Sequence, residues 1–318
     1  MKVQELKTIA VLQGIDDETL SRLAALMERK DYTDGAPVFT EAGPGDSVHF
    51  IVNGRVRIEK RAQSADAPPK TLAVLEAGDY FGEMALLDQK PRSASAVVME
   101  NATILRLSKA AFDELQRSSS DAVLNLLFAM IRTSGDRIRR LSAHLIVYDE
   151  VGKAIGEAQD LAQLLKVILD QLSAACPADW GLVVLRSQFS HHLELRNHLN
   201  LELTPEQKEA IAEGRGFFGL ALQNPKDQLV DNFAEQEPFK SCQRIGFETP
   251  ALLLSPIACE AQLLGLIVLG GHSRGQFDLN ALNLTRGIAR QAAQAILNAR
   301  HREEEHARSR HARQFVRF

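Results

Sequence analysis

Within residues 78–94, Gly78-Asp79-Tyr80-Phe81-Gly82-Glu83 runs through Met84-Ala85-Leu86-Leu87 to Pro91-Arg92-Ser93-Ala94, which sets an acid and an arginine nine residues apart across one apolar turn. These residue types suit a small anionic ligand that carries a sugar. Gly82 lets the backbone approach closely, and the amides opening the turn at Met84 and Ala85 can face an anion. Arg92 offers a charged fork to a phosphate, and Glu83 can accept a hydrogen bond from a sugar hydroxyl. A bare Arg92–Glu83 ion pair is the alternative use of the same side chains.

No catalytic constellation accompanies this cassette. There is no P-loop, nucleophile elbow or HExxH, so an enzyme is not expected. Cys176, Cys242 and Cys259 are isolated and lack CxxC spacing, which disfavours zinc and redox motifs and fits a reducing, cytoplasmic setting. His191-His192 with His198 make a poor metal set, because adjacent strand residues point to opposite faces. No metal is expected.

The surrounding chain has the composition of a globular protein: 318 residues, 45% hydrophobic, 25% charged and a net charge of −4. That length suits two domains. The charge disfavours a nucleic-acid-coating protein. No apolar run reaches the roughly 20 residues of a membrane span, and the polar opening Met1-Lys2-Val3-Gln4-Glu5 is unlike a signal peptide.

Residues 1–30 read as short helices, with a cap at Asp16-Asp17 and Leu20, Leu23, Ala24 and Met27 at helical spacing. From Tyr32 short β-type runs follow, over Val38-Phe39, Val48–Val52, Arg55–Ile58, Thr71–Leu75, Ala94–Met99 and Ala102–Leu107. Asn53-Gly54 is a strong hairpin signal, and Ala62–Lys70 reads as an exposed tip. Strands this short and closely spaced suggest a small barrel or roll.

Four segments in order, Gly35–Gly45, Phe50–Val56, Gly78–Glu83 and Pro91–Ala94, resemble a cyclic nucleotide-binding domain, the family of catabolite activator proteins and of cyclic-AMP-dependent kinase regulatory subunits. The similarity covers roughly residues 10–145. It implies that Glu83 accepts the ribose 2′-hydroxyl and that Arg92 pairs with the cyclic phosphate. Gly82, Met84, Ala85, Ser93 and Ala94 would complete the cradle, while Ile58 and Leu72 would pack on the purine. The resemblance favours cAMP as regulatory ligand, since Ser93 stands where bacterial cAMP receptors also carry serine; cGMP remains compatible.

After a cap at Ser120, Leu127, Ile131, Ser134, Ile138, Leu141, Leu145 and Tyr148 follow 4-3-4-3-4-3 spacing. This fits either the seam of a homodimer coiled coil or an amphipathic helix packed on its own barrel. The family resemblance implies that this helix closes over the base, with Thr133, Ser134 and Arg137 as capping residues; solvated or seam-lining polarity is the other reading.

Beyond it come a helical segment at Asp149–Leu172, strands at Trp180–Leu185 and Leu193–Arg196, a helix at Thr204–Glu213, a glycine-rich turn at Gly214–Gly219, and a strand pair at Leu252–Ile257 and Leu264–Leu269. A last helix runs from Phe277-Asp278 through Ala299. Strands enclosed by helices indicate an α+β sheet domain. Gly214-x-Gly216-x-x-Gly219-x-Ala221, Leu229–Asn232, Ser255-Pro256-Ile257 and the closing helix resemble a GAF domain over about residues 146–300. Its cyclic-nucleotide signature Asn-Lys-Phe-Asp-Glu is absent at Asn224-Pro225-Lys226-Asp227, and Gln243 follows Cys242 where bilin-binding members carry histidine. No winged helix-turn-helix is evident.

The expected organisation is therefore α+β in two domains: a cyclic nucleotide-binding β-roll at 1–119, a connecting helix at 120–148, a GAF domain at 149–299 and an arginine-rich tail at 300–318. The tail is either a mixed-charge helix or a partner-docking segment using Phe315 and Phe318. The expected function is a homodimeric cyclic-nucleotide receptor that relays binding to a GAF domain docking on a partner protein. The alternative is a cAMP-responsive, DNA-binding transcription-associated regulator.

Overall fold

The computed structural model describes residues 3–61, 68–88, 90–157, 160–188, 190, 192–247, 249–260 and 262–315, with the side chains of 85–87 and 301–315 left out. Two compact units meet in sequence at Arg139 and Arg140.

Unit 1 begins with helices α1 (Val3–Lys7) and α2 (Asp17–Leu26). The Asp16 carboxylate caps α2 by accepting from the Thr19 amide at 2.8 Å. Eight strands follow: β1 (Glu28–Tyr32), β2 (Pro37–Phe39), β3 (Ser47–Asn53), β4 (Val56–Lys60), β5 (Lys70–Leu75), β6 (Tyr80–Phe81), β7 (Ser95–Val98) and β8 (Ala102–Ser108). They form two antiparallel four-stranded sheets, β1-β8-β3-β6 and β2-β7-β4-β5. Between β6 and β7 lies the short helix α3 (Glu83–Asp88); α4 (Lys109–Ser118) and the first part of α5 (Ser120–Glu157) follow β8.

Alternation along β3 sorts its side chains. Val48 and Phe50 join Leu20, Leu23, Leu115 and Leu126 in a helix-covered core, while Ile51 packs with Val56, Phe81 and Ile104 inside the roll. The Asn53-Gly54 turn needs its glycine, which has φ +89° and would bring a Cβ within 2.6 Å of the Ala102 Cβ. Strand β1 departs from the helical reading of residues 28–30. Its sequence Glu-Arg-Lys-Asp-Tyr has no apolar face to betray a strand, and among the described residues it forms a charged edge paired only to β8. Residues 62–67 of the expected hairpin tip lie outside the described residues.

Unit 2 starts within α5, which continues past Tyr148 to Glu157 rather than yielding to a separate helix at Asp149. The second helix, α6 (Leu161–Ala175), starts at the Asp160 cap. Strands β9 (Trp180–Arg186), β10 (Leu193–Leu199), β11 (Gln228–Val230), β12 (Ala251–Cys259) and β13 (Gln262–Gly271) build one antiparallel sheet in the order β10-β9-β13-β12-β11. On one face Val183, Leu253 and Ile267 pack against Leu165, Ile168 and Leu169 of α6 and against Ile288 and Ala292 of α9 (Leu279–Phe315). On the other, Leu252, Leu254 and Val268 meet Phe217 and Phe218 of α8 (Phe217–Gln223) together with Phe233, Phe239 and Phe247. Helix α7 (Pro205–Ala212) carries the Thr204–Gln207 capping box.

Cys176 is buried, and burial pushes its thiol up to about 11. His192 Nδ1 lies 3.0 Å from the Ala212 carbonyl; His191 lies outside the described residues, as do residues 316–318 of the tail. Among the described residues no group of metal-ligating side chains assembles, and no helix is long and apolar enough to cross a membrane.

Candidate functional site

Strand β6 delivers the chain to Gly82, where it turns into α3 with Glu83 in the first helical turn. Gly82 has φ +80°, a conformation that suits glycine, and a Cβ there would stand 2.6 Å from Arg92 Nη1. The loop after α3 is tied back to the Gly43 turn by two backbone hydrogen bonds, Arg92 N to Gly43 O at 2.9 Å and Ala42 N to Arg92 O at 2.8 Å. Those bonds set Arg92 beneath the cassette.

Arg92 is only 4% exposed. Its Nη1 donates to the Gly82 carbonyl at 2.8 Å, and its Nη2 donates to the Ser47 carbonyl at 2.9 Å and the Ser47 hydroxyl at 3.0 Å. Asp46 Oδ1 lies 3.8 Å from Nη2, while Asp46 Oδ2 accepts from Arg106 at 3.0 Å. The guanidinium sits 4.1 Å from the centre of the Phe39 ring. Its Nε is buried with no hydrogen-bond partner among the described residues. An unmatched buried donor costs about 1–3 kcal/mol, and an anion would supply the missing acceptor.

Burial lowers the pKa of Arg92, with Asp46 acting in the opposite direction. Burial also acts to raise Asp46, but the Ser47 hydroxyl and the charge of Arg106 outweigh it and hold that carboxyl below its usual range. No ion pair joins Arg92 to Glu83, so the acid remains separate from the arginine it accompanies in sequence.

Beneath Arg92, His49 is 3% exposed and stacks on Phe81, with ring centres 5.2 Å apart and planes at 15°. Phe39 lies 5.4 Å from His49 and 5.6 Å from Phe81. Burial, then the charges of Arg92 and Arg106, push the imidazole down to about 3, so it is neutral.

A cavity of about 390 Å³ opens over this floor, a size suited to a small ligand. Gly82, Glu83, Met84, Arg92, Ser93, Ala94, Ile58 and Arg137 of the sequence-expected set line it. Ala85 belongs to the backbone of α3, and its side chain is not described. Leu72 does not line the cavity and is 57% exposed. The register steps over it: Val56 faces Leu75 and Ile58 faces Ala73, but Glu59 faces Thr71, which leaves Leu72 as the unpaired residue of a bulge. Ala73 and Leu75 are thus the wall residues that the sequence reading missed, along with Phe39 and Phe81.

The three helix residues separate. Thr133 donates to the Ala129 carbonyl within α5, and Ser134 lies 3.1 Å from the Tyr80 hydroxyl, which itself donates to the Met130 carbonyl at 2.9 Å. Neither lines the cavity. Arg137 does, with Nη2 donating to Asp79 Oδ1 at 3.2 Å and the Tyr80 carbonyl at 3.0 Å. Asp46 and Ser47, which fasten Arg92, were also missed; a Gly-Asp turn opening a strand was the available signal.

Residues 29–119 match the family model of the cyclic nucleotide-binding domain, and residues 160–296 match that of the GAF domain. The chain is 28% identical over 156 residues to a CRP-like cAMP-activated global transcriptional regulator of Mycobacterium tuberculosis, covering 48% of this chain and 67% of that protein. It is 28% identical over 177 residues to a cyclic AMP receptor protein of Thermus thermophilus, covering 53% and 79%. Against a cAMP-dependent protein kinase regulatory subunit of Colletotrichum orbiculare, identity is 33% over 110 residues, covering 35% of this chain but only 27% of that protein. A solved cyclic nucleotide-binding domain from Methylobacillus flagellatus is 26% identical, with a TM-score of 0.39 over 43% of this chain and 78% of the other.

Proposed function

We propose that this chain, in which a cyclic nucleotide-binding domain is followed by a GAF domain, is a regulatory receptor for a purine cyclic nucleotide. The observation that carries the reading is the buried Arg92, whose Nε has no hydrogen-bond partner among the described residues, lining one cavity with Gly82 and Glu83. In this reading Arg92 holds the cyclic phosphate, and Glu83 accepts the ribose 2′-hydroxyl. The amides at the start of α3 and around Ser93 and Ala94 complete the anion cradle. Ile58, Ala73 and Leu75 supply an apolar wall for the base. The similar proteins named as cAMP receptors and cAMP-activated regulators make cAMP the first ligand to try.

Output runs through α5 in the same proposal. Tyr80 and Asp79, next to the cassette, are fastened to Met130, Ser134 and Arg137 of that helix, so a ligand that favours one arrangement of the cassette biases the helix too. The exposed apolar residues of α5 are Leu124, Phe128, Ile131 and Ile138 in unit 1 and Leu141, Leu145 and Ile146 in unit 2. Leu127 packs on the core of unit 1, Ser134 bonds Tyr80, and Tyr148 packs on the core of unit 2. In this proposal the homodimer seam within unit 1 uses Leu124, Phe128, Ile131 and Ile138, keeping Ile131 and Ile138 of the spacing first suggested and leaving out Leu127 and Ser134. This covers apolar surface that a monomer rarely leaves open. Regulation rather than catalysis is the proposed role, with the GAF domain as the partner-docking module, because GAF-matching residues follow α5.

Glu83→Ala combined with a 2′-deoxy ligand tests the ribose contact. Each change alone should weaken calorimetric binding by about tenfold, and both together by little more than one. Additive losses would remove Glu83 from the ribose.

A further inference from the structure

Lys90, Arg92 and Arg137 are the lysine and arginine residues that line the cavity. Each is balanced at close range. Lys90 Nζ lies 3.7 Å from Asp88 Oδ2, Arg92 Nη2 lies 3.8 Å from Asp46 Oδ1, and Arg137 Nη2 lies 3.2 Å from Asp79 Oδ1. An anion still in solvent therefore meets little net positive field from the lining itself.

One pleat beyond the lining, positive charge is left unbalanced. In the β4–β5 hairpin Ile58 faces Ala73, Glu59 faces Thr71 and Lys60 faces Lys70. Alternation along β4 puts Lys60 on the face of Ile58, and Lys70, directly opposite, shares that face. Ile58 and Ala73 are wall residues, so both lysines stand on the cavity side of the hairpin, just past the wall. Both are exposed, and among the described residues neither makes an ion pair. Arg57, on the other face of the same strand, pairs with Glu59 at 2.9 Å. Like charges directly opposed across two strands are destabilising, so the folding of the hairpin gives no reason for the pair.

We propose that Lys60 and Lys70 form a collecting rim for anions, which speeds the entry of a negatively charged nucleotide without holding it once bound. Charges beside a binding site act on the rate of encounter more than on the lifetime of the complex. The division of labour follows from exposure. Arg92, 4% exposed and offset by Asp46, suits the bound phosphate but projects little into solvent. The two lysines project without offset and lie outside the lining. The inference rests on the cyclic-nucleotide reading and adds how the ligand is gathered.

The test is stopped-flow association of the full chain with cAMP and cGMP carrying a fluorophore on purine C8. It compares wild type with Lys60→Gln/Lys70→Gln at about 20 mM and about 500 mM salt. In water at low salt, a unit charge about 10 Å from the approaching phosphate gives about a twofold enrichment, and two give about fourfold. The double variant should therefore associate about fourfold more slowly at low salt. At high salt, where screening acts within about 4 Å, it should match wild type. Its dissociation rate should be unchanged, and the calorimetric Kd of the unlabelled nucleotides should rise by the same factor at low salt. Lys60→Glu/Lys70→Glu reverses the field and should slow association by about fifteenfold. Association at the wild-type rate in low salt overturns the inference while leaving the receptor reading intact. A loss that appears in dissociation also overturns it, because the lysines would then hold the ligand or shape the site. Failure of wild type to bind either nucleotide at either salt overturns both.

Discussion

A change from about pH 7.5 to about pH 5 should loosen the β-roll through His49. The imidazole is 3% exposed, and burial, reinforced by Arg92 and Arg106, brings its pKa to about 3. In the unfolded chain the same group titrates near 6.5. The folded value lies below the unfolded one, so the unfolded state takes the proton first as the pH falls. The stabilisation is complete above about pH 6.5 and is lost progressively toward about pH 3. At about pH 5 the loss is about 2 kcal/mol, from roughly 1.4 kcal/mol for each of about 1.5 pH units. That corresponds to about a thirtyfold larger open population. Amide hydrogen exchange of β3 peptides, expressed as protection factors, is the suitable assay, because the single tryptophan, Trp180, lies in unit 2 and reports on that unit. His49→Phe retains a ring between Phe39 and Phe81, removes the buried unpartnered Nδ1, and should abolish this share of the pH response. Equal loss of protection in the two proteins would refute the burial argument.

Gly82→Ala should weaken cyclic-nucleotide binding by about tenfold or more, because the left-handed φ and the 2.6 Å approach to Arg92 Nη1 both resist a Cβ; calorimetry checks it. Tyr80→Phe removes the hydroxyl that bonds Met130 and Ser134, which should cost about 1 kcal/mol and speed hydrogen exchange in α5 near residue 130. Unaltered exchange there would dismiss the fastening. Phe128→Lys with Ile131→Lys should convert a dimer into a monomer by light scattering, whereas Leu127→Lys should instead lower the stability of unit 1; a dimer that survives the double change places the seam elsewhere.

Parts of this arrangement were open to sequence reading because their chemistry is local. The Asp16 cap, the Asn53-Gly54 turn and the run from Gly82 to Arg92 each lie within a few residues of what they govern. Other parts depend on partners far along the chain. Ser47, which fastens Arg92, lies 45 residues away from it. Strand β5 carries apolar residues at 72, 73, 74 and 75, so alternation could not tell which face meets the cavity; pairing of Ile58 with Ala73 decides it. Helix α5 has apolar residues on two faces, and heptad spacing does not say which is covered. Leu127 and Tyr148 pack on the cores of their own units, whereas Leu141 at the same heptad position is exposed. The edge strand β1 carries no apolar pattern at all, and its strand state comes from pairing with β8.

The most direct test of the cyclic-nucleotide site is the affinity of the full chain and of Arg92→Ala for cAMP and cGMP by calorimetry. A stoichiometric complex should form with wild type for at least one nucleotide. Removing the charged hydrogen-bond donor should weaken it by about tenfold to a hundredfold, with β3 protection retained to certify the fold. Equal affinity in a folded Arg92→Ala protein, or no binding by wild type, would contradict the site.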